Sequence, residues 1–347
     1  MNFLTLLHKL LGRRALTRAQ AHDAFAELMH GTVSPVLMAA FLSALRVKGE
    51  SIDEITGAAE AILEAAIPVK TDRKPLVDTC GTGGDGKSVF NVSTTAAFVV
   101  AGAGYAVAKH GNRSVSSVCG SADVVEALGI PLESDPALVA QCLQKIGLAS
   151  LYAPAFHPSM KHAAPIRKEL ATRTIFNLLG PLCNPARPSA QIVGVYDPVW
   201  LKPLAEVLHR LGCEEACVVH GQGEDEIILT GPTEVAELHH GEVRLDTWRP
   251  EDFGFKTQPH PHETSRTPAE GARLLLEVLN GRLGIHRNVV CMNAAAAIRA
   301  AARTKAGGNK TLGLKEAVIV AQKSIDSKAA LHKYEELKAA LTPEEPA

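Results

Sequence analysis

The six residues Gly81-Thr82-Gly83-Gly84-Asp85-Gly86 constrain this chain more than any other stretch. They follow a short apolar run, Leu76-Val77-Asp78-Thr79-Cys80, and precede an apolar stretch of helical period over residues 94–103. Strand, glycine-rich turn and helix in that order is the opening unit of a parallel sheet, because parallel neighbours are joined only by a long crossover. The alternation continues. Strand candidates at 105–108, 148–153, 190–196 and 216–220 alternate with helical candidates at 122–128, 136–146 and 198–211. Two short strands are expected around Thr230-Gly-Pro-Thr233, and helical patterns at 267–280, 286–303 and 313–340 complete the chain. The Pro/His stretch 258–263 reads as an exposed loop.

Before Pro75 the punctuation is purely helical. Thr17-Arg-Ala-Gln20 is a capping box opening a helix whose apolar face is Ala21, Phe25, Leu28 and Met29, closed by Gly31. Ser34-Pro35 supplies an N-cap with Pro at the first helical position, and Gly49 ends that helix. Ser51-Ile-Asp-Glu54 is a second capping box, and its helix stops before Pro68. The N-terminal MNFLTLLHKLLGRR reads as an amphipathic helix, not a signal peptide, because His8 and Lys9 break its apolar run and no small-residue cleavage site follows. The expected architecture is a small all-helical N-terminal domain over residues 1–70 and a large α/β domain over residues 75–347, with a mostly parallel central sheet flanked by helices.

Composition excludes several classes. With 46% apolar and 21% charged residues, the 347-residue chain is neither disordered nor fibrous. Thirty-six basic against 37 acidic side chains, a net charge of −1, argues against a grip on nucleic acid by net charge. No apolar run reaches the roughly 18 residues that cross a bilayer. Seven scattered cysteines, an odd number, read as the reduced thiols of a cytoplasmic protein. Cys213 and Cys217 are spaced to share one helix face, but no second Cys/His pair has zinc-finger spacing, so no metal is expected there.

The glycine loop matches G-x-G-x-x-G, whose dinucleotide reading requires an acid about 20 residues on to hold a ribose hydroxyl. From Gly86 to Ala122 there is no Asp or Glu at all. That span instead holds two further polar clusters, Asn91-Val-Ser93-Thr94 and Lys109-His-Gly-Asn112-Arg113-Ser-Val-Ser116-Ser117. Glycine turns and helix N-termini aim free N–H groups at anions, and hydroxyls and Lys complete the shell. Three such clusters on successive strand-to-helix turns suit one ligand carrying more than one phosphate. Asp225 and Glu226 stand adjacent in a glycine-rich loop after a strand. Alone, such a pair reads as a solvated, exposed turn; beside a polyphosphate, its carboxylates are natural Mg²⁺ donors. Arg167 lies in Ala164-Pro-Ile-Arg167-Lys, either a surface helix or a planar clamp for a substrate carboxylate.

These residues closely resemble the anthranilate phosphoribosyltransferase family. The resemblance is carried by Asp78-Thr-Cys-Gly-Thr-Gly-Gly-Asp85, Phe90-Asn-Val-Ser-Thr94, Lys109-His-Gly-Asn-Arg113 with Ser116-Ser117, Gly120-Ser-Ala-Asp-Val-Val-Glu-Ala-Leu-Gly129 and Arg173-Thr-Ile-Phe-Asn-Leu-Leu-Gly-Pro-Leu182. It runs on to the helix holding Asn293-Ala-Ala-Ala-Ala297. The resemblance implies transfer of the phosphoribosyl group of phosphoribosyl pyrophosphate (PRPP) to anthranilate in tryptophan biosynthesis, with Mg²⁺, a homodimer and no nucleic-acid or membrane partner. It also implies that residues from about 164 to 184 join the helical domain, which is hinged to the α/β domain.

Carried over by motif, the PRPP site is Gly81, Gly84, Asp85, Val89, Asn91, Val92, Ser93, Thr94, Lys109, His110, Gly111, Asn112, Arg113, Ser116, Ser117 and Ser121. Gly81, Asn112 and Arg167 are the implied anthranilate contacts, Ser93, Asp225 and Glu226 the Mg²⁺ ligands, and Lys109 and Arg167 the catalytic residues. Two positions depart from the family pattern: Val89 stands where it has Thr or Ser, and Ala171 where it has Gly. The alternatives are a nucleoside phosphorylase-type enzyme, which needs no paired acids, and a non-catalytic nucleic-acid-binding relative, expected to lose them and gain a basic face.

Overall fold

The structure, a computed structural model, describes residues 2–83, 90–113, 120–132, 135–259 and 265–342. Four helices come first: α1 (Phe3–Leu11), α2 (Arg18–His30), α3 (Pro35–Lys48) and α4 (Ile52–Glu64). Each begins where a side chain takes up an orphan N–H of the first turn. Gln20 N donates to Thr17 Oγ1 at 3.3 Å while Thr17 N donates to Gln20 Oε1 at 3.1 Å, a closed capping box. Ser51 and Glu54 close a second one, with Glu54 N on Ser51 Oγ at 3.3 Å and Ser51 N on Glu54 Oε2 at 2.8 Å. The apolar faces meet around Phe25, whose ring packs at 5.9 Å from Phe41 and 5.8 Å from Phe176. Phe25 is fully buried, so truncating it to Ala costs about 3–5 kcal/mol. Through Phe176, with Ala163, Ile166, Ile175 and Leu179, the 163–183 segment shares this core.

The rest of the chain winds a sheet. In order come β1 (Leu76–Gly81), α5 (Val92–Gly102), β2 (Ala106–Gly111), α6 (Ser121–Ala127), α7 (Pro136–Ile146), β3 (Leu148–Tyr152), the short α8 (Ala153–Phe156), α9 (Ala164–Leu170), the short α10 (Phe176–Leu179), β4 (Ala190–Gly194), α11 (Leu201–Arg210) and β5 (Glu215–His220). The hairpin β6 (Thr233–His239) and β7 (Glu242–Trp248) follows, then α12 (Pro268–Leu279), α13 (Ile285–Arg303), α14 (Leu314–Asp326) and α15 (Ala329–Leu341). The seven-stranded sheet runs β3-β2-β1-β4-β5-β6-β7; its first five strands are parallel, and β6 and β7 are antiparallel. One face is covered by α5 and α13, whose small side chains, such as the fully buried Ala294–Ala297, let them approach closely. The protein is thus a helical N-terminal bundle joined to a larger α/β unit with a mostly parallel sheet flanked by helices.

The order reverses at β1. The chain leaves it outward through β2 and β3, then returns to β1's other side as β4. Such a switch point leaves a crevice beyond the C-terminal strand ends, where ligands of doubly wound sheets bind.

Three sequence expectations differ from what is seen. The late strand pair does not straddle Thr230-Gly-Pro-Thr233: its first strand starts at Thr233 and its turn is His240-Gly241. β7 escaped notice because it is an edge strand with five of its seven residues exposed, so it carries no apolar alternation. The helical pattern 313–340 is broken at Lys328, which takes a left-handed φ of 64° between α14 and α15. Cys213 and Cys217 share no helix: Cys213 precedes β5, Cys217 lies within it, and both are buried.

Candidate active site

A cleft of about 580 Å³ opens at the switch point, between the C-terminal ends of β1, β2 and β5 and a wall made by Ile62 of α4 with Met160, Arg167 and Phe176. Its volume is of the size that encloses small-molecule substrates. The glycines at the ends of β1 and β4 have a steric reason. A Cβ on Gly81 would lie 2.4 Å from Asp225 Oδ2, and one on Gly194 would lie 1.6 Å from the Asp225 carbonyl oxygen. Only bare backbone lets the Asp225–Glu226 loop enter the crevice between the two strands.

Once inside, both carboxylates bind the backbone of the polar turns. Asp225 Oδ2 accepts from Gly83 N at 2.8 Å, and Glu226 Oε1 accepts from Ser93 N, in the first turn of α5, at 3.3 Å. Thr79 Oγ1 donates to the Ser93 carbonyl at 2.8 Å, tying that helix start to β1. Both acids are half-buried and not a solvated turn, because the loop packs on two glycines. The loop is held from behind by Asn293 of α13, whose Oδ1 accepts from Ile227 N at 3.0 Å and whose Nδ2 donates to Ile227 O at 2.9 Å.

Under the cleft, β1 and β2 carry a buried polar group. Asp78 accepts from His110 N at 3.2 Å and from Asn184 Nδ2 at 2.8 Å. Burial pushes its carboxyl up to about 6, opposed by the positive charge of Lys109. Lys109 is buried, lines the cleft, and its Nζ lies 3.4 Å from the His110 carbonyl oxygen. His110 sits with Nδ1 3.1 Å from the Gly180 carbonyl oxygen, while its buried Nε2 has no hydrogen-bond partner among the described residues. Its ring packs 5.3 Å from that of His157. Burial holds both imidazoles neutral, His110 at about 3 and His157 at about 4.

The opposite wall is cationic. Arg167 is half-buried with its guanidinium 5.1 Å from the centre of the Phe176 ring, and among the described residues no carboxylate pairs with it. Burial lowers its pKa, yet a guanidinium stays charged. An unpaired planar cation in a cleft is a receptor for a carboxylate. Just beyond it, α9 ends at Ala171 with a left-handed φ of 46°.

The remaining expected residues separate into groups. Gly81, Asn91, Val92, Ser93, Lys109, His110, Gly111, Asn112, Arg113, Ser121, Arg167, Asp225 and Glu226 all line the one cleft. Asn112 turns its side chain back onto its own loop, Oδ1 accepting from Arg113 N at 2.7 Å. Arg113 directs its guanidinium to α6, 2.9 Å from Asp123 and 2.8 Å from Glu126, and these acids raise its pKa. Thr94 stands behind the lining, its buried hydroxyl without a partner among the described residues. Gly84, Asp85, Val89, Ser116 and Ser117 lie outside the described residues, as does most of the expected 258–263 loop.

Sequence reasoning missed several contributors. His157 carries no motif, and Phe176 stands in the Arg173–Leu182 motif without an implied role there; both reach the cleft through tertiary packing. Thr82 is locked from β4's end, its Oγ1 accepting from Tyr196 N at 3.1 Å, and the Tyr196 ring lies 4.0 Å beneath the Arg173 guanidinium. His286 of α13 packs edge-on to Phe90 at 4.9 Å. Their contacts join residues far apart in sequence, which no local motif displays.

Comparison with known proteins agrees with the geometry. Residues 4–66 match the helical bundle domain of a glycosyl transferase family and residues 73–331 match its a/b domain. The chain is 50% identical over 334 residues to an anthranilate phosphoribosyltransferase of Symbiobacterium thermophilum, covering 96% of each. Among solved structures, the anthranilate phosphoribosyltransferase of Thermus thermophilus is similar with a TM-score of 0.90 and 42% identity, covering 96% of this chain and 98% of that one. The Saccharomyces cerevisiae enzyme in complex with PRPP and Mg is similar with a TM-score of 0.87 and 30% identity, covering 98% of this chain and 97% of that one.

Proposed function

The chain belongs to the anthranilate phosphoribosyltransferases, a glycosyl transferase family, and from that premise we propose that it transfers the phosphoribosyl group of PRPP to the amino group of anthranilate, releasing pyrophosphate. One observation carries this reading beyond membership. Two carboxylates occupy the N–H groups of turns built to receive phosphate, Asp225 on Gly83 and Glu226 on Ser93. Acids there repel a polyphosphate unless a cation lies between them, and an all-oxygen donor set suits Mg²⁺. Ser93, Asp225 and Glu226 are the residues that would hold it, and the bound ion supplies positive charge against the departing pyrophosphate.

The chain's own residues do the rest. The buried Lys109 ammonium presents positive charge where the leaving group's negative charge grows. Asp78, below Lys109 and His110, anchors that strand end. Arg167 takes the anthranilate carboxylate and so aims its amine across the cleft; such positioning makes the attack effectively intramolecular. The amine of an aniline is already a free base at neutral pH, so no general base is required, and both cleft imidazoles are held neutral. A homodimer and a cytoplasmic location belong to the same proposal. Exposed Leu11, Val36 and Val47 of the helical unit offer apolar surface to a second copy, and no described helix is long and apolar enough to cross a membrane.

The test is direct. Protein mixed with anthranilate, PRPP and Mg²⁺ should quench anthranilate fluorescence at a rate proportional to enzyme, and a chelator should stop it. Steady fluorescence with all three present rejects the reading.

A further inference from the structure

Far from the cleft, at the N-terminal end of β5, the fold gathers three His and Glu side chains, the one cluster of three His, Cys, Asp or Glu donors among the described residues: Glu215, His239 and His240. One donor atom from each lies within 4.8 Å of the others. Glu215 opens β5 with its side chain only 4% exposed, and its two oxygens lie 2.9 and 2.8 Å from Nδ1 of His239, at the end of β6. The nearby arginines are already engaged: Arg299 and Arg303 pair with Glu237, and Arg244 pairs with Glu242. A buried carboxylate compensated by a single imidazole is an expensive arrangement unless more positive charge arrives.

The turn brings a second imidazole to the same place. Successive strand residues point to opposite faces, so adjacent histidines should diverge. Here His240 has a φ of 51° and Gly241 a φ of 80°, a two-residue hairpin turn with both central residues left-handed. The chain therefore folds the two rings together, their centres 4.0 Å apart and their planes at 41°. The turn is also fixed from α11, because a Cβ on Gly241 would sit 3.3 Å from His209 Cε1.

We propose that Glu215, His239 and His240 bind one divalent cation of the zinc class, completed by water on the side of the exposed His240. Two neutral imidazole nitrogens and one carboxylate oxygen match the borderline character of Zn²⁺ and its tetrahedral geometry with an open fourth position. Mg²⁺, which demands oxygen donors, is excluded by the same set. The site is separate from the acids of the cleft, which follow the opposite end of the six-residue β5, roughly 20 Å away. Its role is structural: the ion fastens the β6–β7 hairpin to the parallel part of the sheet and removes the cost of the buried carboxylate.

Untagged protein, stripped with chelator and then held in excess Mg²⁺ to occupy the cleft acids, is titrated calorimetrically with ZnCl₂. The wild type should take up one Zn²⁺ per chain and its Tm should rise by several degrees at saturation, while further Mg²⁺ leaves Tm unchanged. His240→Asn keeps a residue that accepts left-handed φ, so its metal-free Tm should match the wild type, yet its Zn²⁺ affinity should fall about tenfold or more. Glu215→Gln should lose affinity likewise. Absence of saturable Zn²⁺ uptake, or equal affinity in wild type and both variants, overturns the site and leaves a Glu215–His239 ion pair alone.

Discussion

Asn293 closes both ends of its side-chain amide on the main chain of Ile227, accepting from its N–H at 3.0 Å and donating to its carbonyl at 2.9 Å, directly after the acidic pair Asp225–Glu226. The same Nδ2 also donates to the Val289 carbonyl of its own helix at 3.0 Å. A helix on one face of the sheet thus fixes the position of carboxylates on a loop. Asn293→Ala strands two buried backbone groups, each costing about 1–3 kcal/mol. Denaturant unfolding should show a loss of roughly 2–6 kcal/mol, and the Mg²⁺ concentration giving half-maximal rate should rise several-fold. An unchanged Mg²⁺ requirement in a stable variant would show that the loop keeps its place without the amide.

Asp225 and Glu226 should carry the metal dependence together. Replacing both by Ala is expected to lower kcat by roughly a hundredfold or more, as the loss of charge stabilisation at a developing anion does. The loop backbone is held by Asn293 and by the two glycines, so the Tm should move little. A double variant that keeps most of its kcat at saturating Mg²⁺ would remove these residues from the metal site.

Arg167 is proposed to face the acceptor. Loss of a charge-assisted bidentate pair is worth about 1.5–3 kcal/mol, so Arg167→Ala should raise the KM for anthranilate by roughly tenfold to a hundredfold. The KM for PRPP should stay nearly constant, because Ser93, Lys109 and the acidic pair, proposed for the donor and its metal, lie on the other wall. Equal rises in both would place Arg167 in domain closure instead.

Most of the fold was legible because its signals are local. Three of the four N-terminal helices are announced by a capping residue that the structure shows bonded, Thr17, Ser34 and Ser51. The cleft was legible in part because glycine turns and helix starts bind anions whatever surrounds them. The direction of a side chain is a tertiary outcome. Arg113 sits in the right loop, but two acids one helix away claim its guanidinium. Asp78 could be quoted as a motif residue, yet its burial beneath Lys109 appears only when β2 is laid beside β1. The hairpin β6–β7 was misplaced because an edge strand has no second face to bury.

Ala171, the position where the family pattern has Gly, ends α9 at a φ of 46°. A Cβ in the left-handed region costs about 1–2 kcal/mol, while a Gly there adds about 0.4–1 kcal/mol of unfolded-chain entropy. Ala171→Gly should therefore stabilise the protein by up to about 1 kcal/mol. The chain just after Arg167 also becomes freer, so the KM for anthranilate should rise by less than the KM change of Arg167→Ala. A clear loss of stability would mean that packing of the Ala171 methyl outweighs the backbone strain.

The buried imidazoles give stability a definite dependence on pH. Burial pushes His110 and His157 down to about 3 and about 4 in the folded protein, against 6.5 for an exposed imidazole. Their folded values are depressed, so the stability they contribute is complete above pH 6.5 and is lost as pH falls toward 4. Asp78 runs oppositely: its value is raised from 3.8 to about 6, so its contribution is complete below 3.8 and is lost as pH rises through 6. Between pH 4.5 and 6 the two imidazoles outweigh the one carboxyl, and unfolding takes up about one net proton from the three. Linkage then makes stability climb by roughly 1.4 kcal/mol per pH unit across that window. His157→Gln removes one of the two uptake sites, so the contribution of this group becomes nearly flat. Urea unfolding of wild type and variant at matched pH cancels every other carboxylate common to both. The gap between the two stability curves should widen as pH rises from 4.5 to 6, and parallel curves would show that His157 is protonated alike in the folded and unfolded chains.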